Sequence, residues 1–286
     1  MSALRRRLAP YGLLAPGTAW LLLFFLVPIF YLGRLSLESG FVGSLEFTWN
    51  WANYGDALSL YNEQFVRSFA YAGLATVAAL LLAYPLAYTI AFKAGRWRNV
   101  LLFVVIAPFF TTYLIRTLAW QTILADRSPA VDALQVVGLV PDGGRALATG
   151  PAVIAGLTYN FLPFMVLPIY ASLERLDVRL VEAANDLYAS AAQAFWRVTL
   201  PLSAPGIVAG TLLTFIPASG DYINAQFLGS AGNQMIGNVI QALYLRQSDY
   251  PSAAALSFVL MALILVVVLV YIRFAGSEAL MGEEAR

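Results

Sequence analysis

Cysteine and histidine are both absent from the 286 residues of this sequence. Without cysteine, the chain has no disulfide, no thiolate metal site and no cysteine nucleophile. Without histidine, it lacks the commonest general base and the commonest zinc ligand. The phosphate-binding pattern G-x-x-x-x-G-K-[ST] is also missing, which excludes ATP binding through that kind of loop. We therefore predict no catalytic residues, no metal and no cofactor.

Charge is scarce as well, since only 12% of the residues are charged while 60% are hydrophobic. A soluble globular domain carries roughly 25% charged residues. The net charge is +1 and the basic residues are scattered among loops rather than gathered on one face, so we predict no nucleic-acid partner. The composition predicts an all-α polytopic membrane protein with one transmembrane domain, residues 1–286.

Long apolar runs predict six transmembrane helices, each near the roughly 20 residues that cross the hydrocarbon core. We place them at about 11–33, 66–92, 99–121, 151–172, 204–226 and 252–274. The first run follows Arg5, Arg6 and Arg7 but is not followed by a small-residue cleavage site, so a span is favoured over a signal peptide. Pro108 should interrupt the third span, and Pro217 with Gly220 the fifth, which places both in the bundle interior.

The distribution of lysine and arginine predicts the orientation. One side of the membrane has eleven of these residues and the other has five, with Arg116 unassigned. The richer side carries Arg5, Arg6, Arg7, Lys93, Arg96, Arg98, Arg175, Arg179, Arg197, Arg273 and Arg286. The poorer side carries Arg34, Arg67, Arg127, Arg145 and Arg246. The richer side is cytoplasmic, so both termini and the segment 174–203 are expected in the cytoplasm.

Segment 174–203 is a polar island between two spans. Asp177 is a plausible N-cap for a first short helix, and Ser190 with Gln193 matches a capping box that begins a second. Pro201 should end that second helix, with Leu200 already biased out of it. Alanines at the centre leave a shallow surface on which another protein can pack. An ordinary solvated loop with helical content is the alternative.

The island resembles the cytoplasmic coupling loop of binding-protein-dependent ABC importer permeases. Glu182, Ala183 and Ala184 match the start of that motif, and Leu200 and Pro201 match its end. The resemblance implies that these residues contact an ATPase subunit. The family has glycine where this chain has Tyr188, and a left-handed tyrosine costs about 1–2 kcal/mol. We therefore expect a differently shaped turn there.

The likeness extends over most of the chain and is strongest to the spermidine and putrescine branch of these permeases. The matching segments are 47–58, 84–91, 114–120, 162–177, 211–222 and 235–260. It implies the six-helix (MetI-like) permease core in a bacterial inner membrane. It also implies two ATPase subunits inside, a second and different permease chain, and an extracytoplasmic solute-binding protein. The expected solute is a polyamine or a similar small molecule.

Polar residues within the spans are candidates for the solute pathway, because charge inside a membrane is costly and usually faces a cavity or a partner. Asp221 follows the break in the fifth span, with Tyr222 and Asn224 beside it, and a carboxylate near aromatic rings suits an ammonium group. Alternatively, Asp221 caps a helix or pairs with Arg116. Arg116 could instead extend to the interface, and Asn160 could join helices.

Two other classes of protein compete with the importer permease. A stand-alone channel or secondary transporter should show inverted repeats or several charges within its spans. An integral membrane enzyme acting on lipid should show clustered acids, histidines or a metal site. The sequence has no histidine and no paired carboxylates within the spans, which argues against the enzyme.

Overall fold

A computed structural model of the chain describes residues 13–40, 43–126, 128–138, 140–141 and 143–275. Arg5, Arg6, Arg7, Arg127 and Arg286, which entered the orientation argument, lie outside these residues. The described part is almost entirely helical. Its helices are α1 Leu13–Leu35, α2 Ala52–Leu60, α3 Asn62–Phe92, α4 Arg98–Ile106, α5 Tyr113–Ile123, α6 Pro129–Val136, α7 Gly150–Glu174, α8 Val178–Asp186, α9 Ala191–Leu202, α10 Ala204–Ser219, α11 Ile223–Leu228, α12 Ile236–Ala242 and α13 Tyr250–Ala275. One short hairpin pairs β1 Glu38–Ser39 with β2 Glu46–Phe47, antiparallel.

Four helices are long and apolar enough to cross a membrane, namely α1, α3, α7 and α13. Two further spans result if each bent helix pair counts as one, which gives six. The first pair is Gly95–Phe110 with α5, bent by 97°. The second is α9 with α10, bent by 62°. The all-α multi-span fold predicted from composition is confirmed.

The bend in the third span lies just after the proline that predicted it. Pro108 sits in a 3₁₀ turn, Ala107–Phe110, and Thr111 and Thr112 are extended. The Thr112 side chain then accepts a hydrogen bond from the Ile115 N–H (3.4 Å) and caps α5. Proline removes a backbone donor and threonine supplies a cap, so the helix ends and restarts at this point.

The prediction that Leu200 leaves the helix before Pro201 is wrong. Leu200 has helical angles (φ −64°, ψ −48°), and α9 continues to Leu202. A π-helical turn, Phe195–Thr199, precedes the proline. Its wider ring changes the hydrogen-bond pattern, so a proline that lacks an N–H fits directly after it. The bend therefore falls at Ser203 instead.

The described residues form two compact units. The first comprises residues up to Asn62 together with Ile240–Met261, and the second comprises Glu63–Val239 together with residues from Ala262 onward. In the second unit, α7 is the central helix, with thirteen buried residues along its length. Buried alanines of α3 pack in the same core, including Ala75, Ala79 and Ala83.

Helices α7 and α10 approach each other at two glycines. A Cβ at Gly206 would lie 2.5 Å from the Pro168 carbonyl oxygen and 2.7 Å from Ser172 Oγ. A Cβ at Gly210 would lie 2.9 Å from Met165 Sδ. Small residues at such contacts let two membrane helices pack backbone to backbone. This contact positions α10 and the chain that follows it, which carries Asp221.

Candidate functional site

Five side chains from three helices and one loop form a connected polar cluster inside the second unit. Asn160 Nδ2 on α7 donates to Asn224 Oδ1 on α11 (3.1 Å) and to Thr117 Oγ1 on α5 (3.4 Å). Asn224 Nδ2 donates to the Tyr113 hydroxyl (2.5 Å), and that hydroxyl donates to Asp221 Oδ2 (2.6 Å). Thr117, Asn160 and Asn224 are at most 1% exposed. The polar cluster therefore ties α5, α7 and α11 together beside the break between α10 and α11 at Gly220.

Asp221 uses its two carboxylate oxygens differently. Oδ1 accepts a hydrogen bond from the backbone N–H of Asn224 (2.8 Å), as an acid does at a helix N-terminus. Oδ2 accepts from Tyr113 and has a further lone pair. Among the described residues Asp221 forms no ion pair. Of the two alternatives, helix capping is present and pairing with Arg116 is not.

Arg116 is 8% exposed, and its Nε and Nη1 atoms have no hydrogen-bond partner in the described part of the chain. Its guanidinium lies 5.2 Å from the ring centre of Phe109 and 5.5 Å from that of Tyr113. Cation–π attraction to two rings compensates part of the cost of burying the charge. The side chain is thus buried within the chain rather than extended to its surface.

The backbone at Gly220 and Asp221 packs closely against Gly237. A Cβ at Gly237 on α12 would lie 2.5 Å from the Gly220 carbonyl oxygen and 3.0 Å from that of Asp221. The Tyr222 carbonyl also accepts a hydrogen bond from Asn238 Nδ2 (2.8 Å). The Tyr222 side chain itself is 39% exposed and makes no contact within the polar cluster described above.

Tyr113 and Thr117 belong to the polar cluster but were not singled out by sequence. Tyr113 begins α5, and a tyrosine near a helix start in a membrane chain is ordinary at an interface. Only the 97° bend turns its hydroxyl toward Asp221. The one available signal was the spacing of Tyr113, Arg116 and Thr117, which puts them on one side of a helix.

In the polar island, the predicted caps are present. Asp177 Oδ1 accepts from the Arg179 N–H (3.0 Å) at the start of α8. Ser190 and Gln193 form the complete capping box that begins α9, with bonds of 3.3 and 2.9 Å. Both signals are local, which is why the sequence was sufficient to predict them.

The turn at Tyr188 corrects the expectation that tyrosine would change its shape. Tyr188 has φ 60°, the left-handed conformation that the family glycine would favour. Its N–H donates to the Asn185 carbonyl (2.9 Å), and the Ala189 N–H donates to the Ala184 carbonyl (3.1 Å). This pair of bonds is the Schellman motif, and it offsets the steric cost of the tyrosine. The side chain is 98% exposed, so it meets no obstacle.

The second island helix contacts the span α3 directly. Phe195 lies edge-on to the ring of Tyr84 (5.6 Å between ring centres) and to that of Tyr88 (6.2 Å). The Tyr84 hydroxyl shares a hydrogen bond with Ser203 Oγ at the bend (2.9 Å). Leu200 packs against the same core. Helix α9 is therefore connected to α3 and to the start of α10 through packed side chains.

The island's outer surface is open. No residue of α8 is buried, Glu182 and Ala183 are exposed, and Ala184 is half-buried. Pro201 is also exposed. Large apolar side chains face outward as well, with Leu187 82% and Trp196 65% exposed. Exposed apolar surface rimmed by polar residues is typical of a protein interaction site.

Comparison with known proteins gives the class of this chain. A family described as "Binding-protein-dependent transport system inner membrane component" matches residues 80–276. The spermidine/putrescine transport system permease protein PotB of Escherichia coli (strain K12) is 39% identical over 256 residues, which cover 89% of this chain and 93% of that protein.

Solved structures show the same fold. A chain of the bacterial alginate ABC transporter, crystallised with an alginate pentasaccharide-bound periplasmic protein, matches with a TM-score of 0.71 at 20% identity, over 96% of each chain. A chain of the MetNI methionine ABC transporter in an inward-facing conformation matches with a TM-score of 0.57 at 15% identity, over 76% of this chain and 94% of that one.

The fold and the family match define a multi-pass inner-membrane protein with the architecture of importer permeases. The chain belongs to the family of binding-protein-dependent transport system inner membrane components. It is the permease subunit of an ABC importer and not an enzyme, which confirms the prediction made from the coupling-loop resemblance. The stand-alone transporter and the lipid enzyme are set aside by the same findings.

Proposed function

We propose that this permease conducts polyamines such as spermidine and putrescine, with Asp221 as a contact for the solute's ammonium groups. Support comes from the name of the PotB relative and from the chemistry of the polar cluster. The solute is a small organic cation, so its pathway needs a carboxylate that no resident cation neutralises.

The observation that carries the proposal is the state of the Asp221 carboxylate. It is half-buried and forms no ion pair among the described residues, although Arg116 is buried in the same region. Oδ2 can accept one more hydrogen bond, and the ring of Tyr113 lies beside it. Tyr222 offers a second, partly exposed ring within one residue. An ammonium group would gain both an ion pair and cation–π contact there.

The remaining candidates have supporting roles in this proposal. Asn160 and Asn224 orient the polar cluster, since the Asn160 amide bonds Asn224 and the Asn224 amide bonds Tyr113. Arg116 lies against the ring of Tyr113 without contacting the carboxylate. Its positive charge disfavours long residence of a polycation, which helps release after transport.

Asp221→Asn tests the proposal, because asparagine keeps the helix cap and the shape but removes the charge. We expect spermidine uptake by the reconstituted importer to fall at least about tenfold, the loss of one charge-assisted contact. Asp249→Asn is the matched control, since Asp249 Oδ1 also accepts from a helix N-terminal N–H, that of Ser252 (3.2 Å), outside the cluster. Unchanged uptake in Asp221→Asn would remove this carboxylate from the pathway.

We also propose the assembly in which the chain works: two ATPase subunits docked on the polar island, a second and different permease chain, and an extracytoplasmic solute-binding protein. Glu182, Ala183, Ala184, Leu200 and Pro201 are the proposed ATPase contacts, with Tyr188 at the turn between the two helices. Native mass spectrometry of the purified importer should show one copy of this chain, one of another permease and two ATPases. Two copies of this chain in each complex would contradict the heteromeric arrangement.

A further inference from the structure

The first compact unit contains an apolar cavity of about 630 Å³ beside the end of α1 that carries Arg34. Ile29 and Phe30 of α1 and Phe258 of α13 form its apolar wall, and Trp49 and Tyr54 lie at its other side. This volume is in the range of about 300–1,000 Å³ that small-ligand sites occupy. The cavity is separate from the polar cluster, all of whose residues belong to the second unit.

Hydrogen bonds join the segment that carries Tyr54 to the chain at the end of α1. Asn53 Nδ2 donates to the carbonyl oxygens of Ser36 (2.9 Å) and Glu38 (3.0 Å). The Tyr54 hydroxyl shares a hydrogen bond with Ser36 Oγ (2.6 Å). These bonds hold Tyr54, one of the lining residues, against the end of α1, so the shape of the cavity is set before a ligand enters.

The cavity adjoins a helix whose apolar surface is exposed in this chain. α1 qualifies as a membrane span, and its apolar side chains are exposed over most of its length, Phe30 by 77%. An acyl chain is therefore the apolar molecule present at highest concentration beside this opening. Trp49 and Trp51, each 62% exposed, stack at a centre distance of 6.4 Å, as aromatic residues do at the level of lipid headgroups.

Arg34 supplies the polar end of the same site. Its side chain is 57% exposed, and its Nε lies 3.1 Å from Glu38 Oε1. A guanidinium has five N–H donors, so the Nη groups are still available to a second anion. Trp49 beside it adopts φ 53°, a strained conformation for a tryptophan that costs on the order of 1–2 kcal/mol. Strain of this kind is concentrated at binding sites.

We propose that this cavity binds one acyl chain of a glycerophospholipid whose phosphate is held by the Nη groups of Arg34. The apolar wall suits the acyl chain, and the guanidinium of Arg34 suits the phosphate. The tryptophans lie at the level where the acyl chains of a bilayer give way to its headgroups. The proposal does not depend on the identity of the transported solute.

The test uses the full-length chain, delipidated in detergent and titrated with phosphatidylglycerol, with lipid adducts counted by native mass spectrometry. We expect one retained lipid per chain. Arg34→Gln should weaken its binding about tenfold, the loss of a charge-assisted contact. Phe258→Trp and, as a second variant, Gly33→Leu should reduce binding by filling the cavity. Arg246→Gln, an exposed arginine of the same unit outside the cavity lining, is the control and should bind as the wild type does.

A neutral diacylglycerol is the matched ligand, because it carries the chains without the phosphate. It should bind at least about tenfold more weakly than phosphatidylglycerol. Equal binding of both lipids, or equal loss in Arg246→Gln and Arg34→Gln, would overturn the role of Arg34. Wild-type lipid retention in both cavity-filling variants, each shown to be folded by circular dichroism, would overturn the cavity as the site.

Discussion

At the scale of single residues, the half-buried Asp221 and the buried Arg116 lie in one region without pairing. A charged side chain at the centre of a membrane helix costs about 2.5–3.5 kcal/mol on insertion scales. Asp221 recovers part of that through its bonds to Tyr113 and Asn224, and Arg116 recovers part through two aromatic rings. Direct pairing would cancel both charges. Under the proposed function, their separation leaves Asp221 available to the ammonium groups of the solute.

Gly237→Ala should displace the backbone that carries Asp221. The added Cβ would meet two carbonyl oxygens at 2.5 and 3.0 Å, neither of which can move as a flexible side chain can. Overpacking of this kind costs about 1–3 kcal/mol, and we expect both thermal stability and solute uptake to fall. Gly73→Ala on α3 is the control, since nothing lies within 4 Å of its Cβ position. Equal melting temperatures for the two variants would contradict the close contact.

Tyr188→Gly should stabilise the permease by about 0.5–1 kcal/mol, because glycine takes the left-handed conformation without strain. The tyrosine side chain is 98% exposed, so little packing is lost. Tyr188→Val, with a branched Cβ, should destabilise the turn. The melting temperature of the purified protein measures both effects, and a lower value for the glycine variant would show that the tyrosine makes a stabilising contact.

At the scale of elements, the two helices of the island differ in how they contact the spans. Helix α8 has no buried residue and ends in a turn held by its own backbone bonds. Helix α9 reaches the spans through Phe195 and through the bend at Ser203, which bonds Tyr84. In the assembly proposed above, α8 is the surface that an ATPase subunit contacts, and α9 connects the island to α3.

Glu182→Lys tests the docking role of α8. Reversing this exposed charge should lower ATP-driven uptake at least about tenfold while the melting temperature changes little, because Glu182 has no buried contact. Glu46→Lys, a reversal at an exposed strand position in the other compact unit, should leave uptake unchanged. Wild-type coupling of ATP hydrolysis to uptake in the Glu182 variant would refute ATPase docking at this position.

The local elements were predictable from sequence, and the contacts between elements were not. Asp177, Ser190 and Gln193 reveal their caps through neighbours three residues away at most. The continuation of helix α9 through Pro201 depends instead on a π-helical turn that no residue type specifies. Tyr113 reaches Asp221 only because the third span bends, and the two residues are 108 positions apart. The sequence identified Asp221 as a candidate but gave no reason to expect Tyr113 as its partner.

At the scale of the whole molecule, the absence of cysteine makes the orientation directly measurable. Single cysteines at Tyr188 and Leu60, 98% and 68% exposed, sample the island and the segment after α1. In right-side-out membrane vesicles, an impermeant maleimide should label Leu60→Cys and not Tyr188→Cys, and inside-out vesicles should reverse the result. Labelling of both from one side would contradict the charge-derived orientation.

The glycine contacts between α7 and α10 limit how the permease can change shape. At Gly206 and Gly210 the backbone of α10 lies directly against α7, with no side chains between them. We therefore expect the two helices to move as one rigid body. We expect alternation between inward and outward openings to use the two sharp bends instead, at Thr111–Thr112 (97°) and Ser203 (62°). We expect spin labels across the α7–α10 contact to keep one distance through the ATP cycle. Labels placed on the two sides of either bend should report two distances.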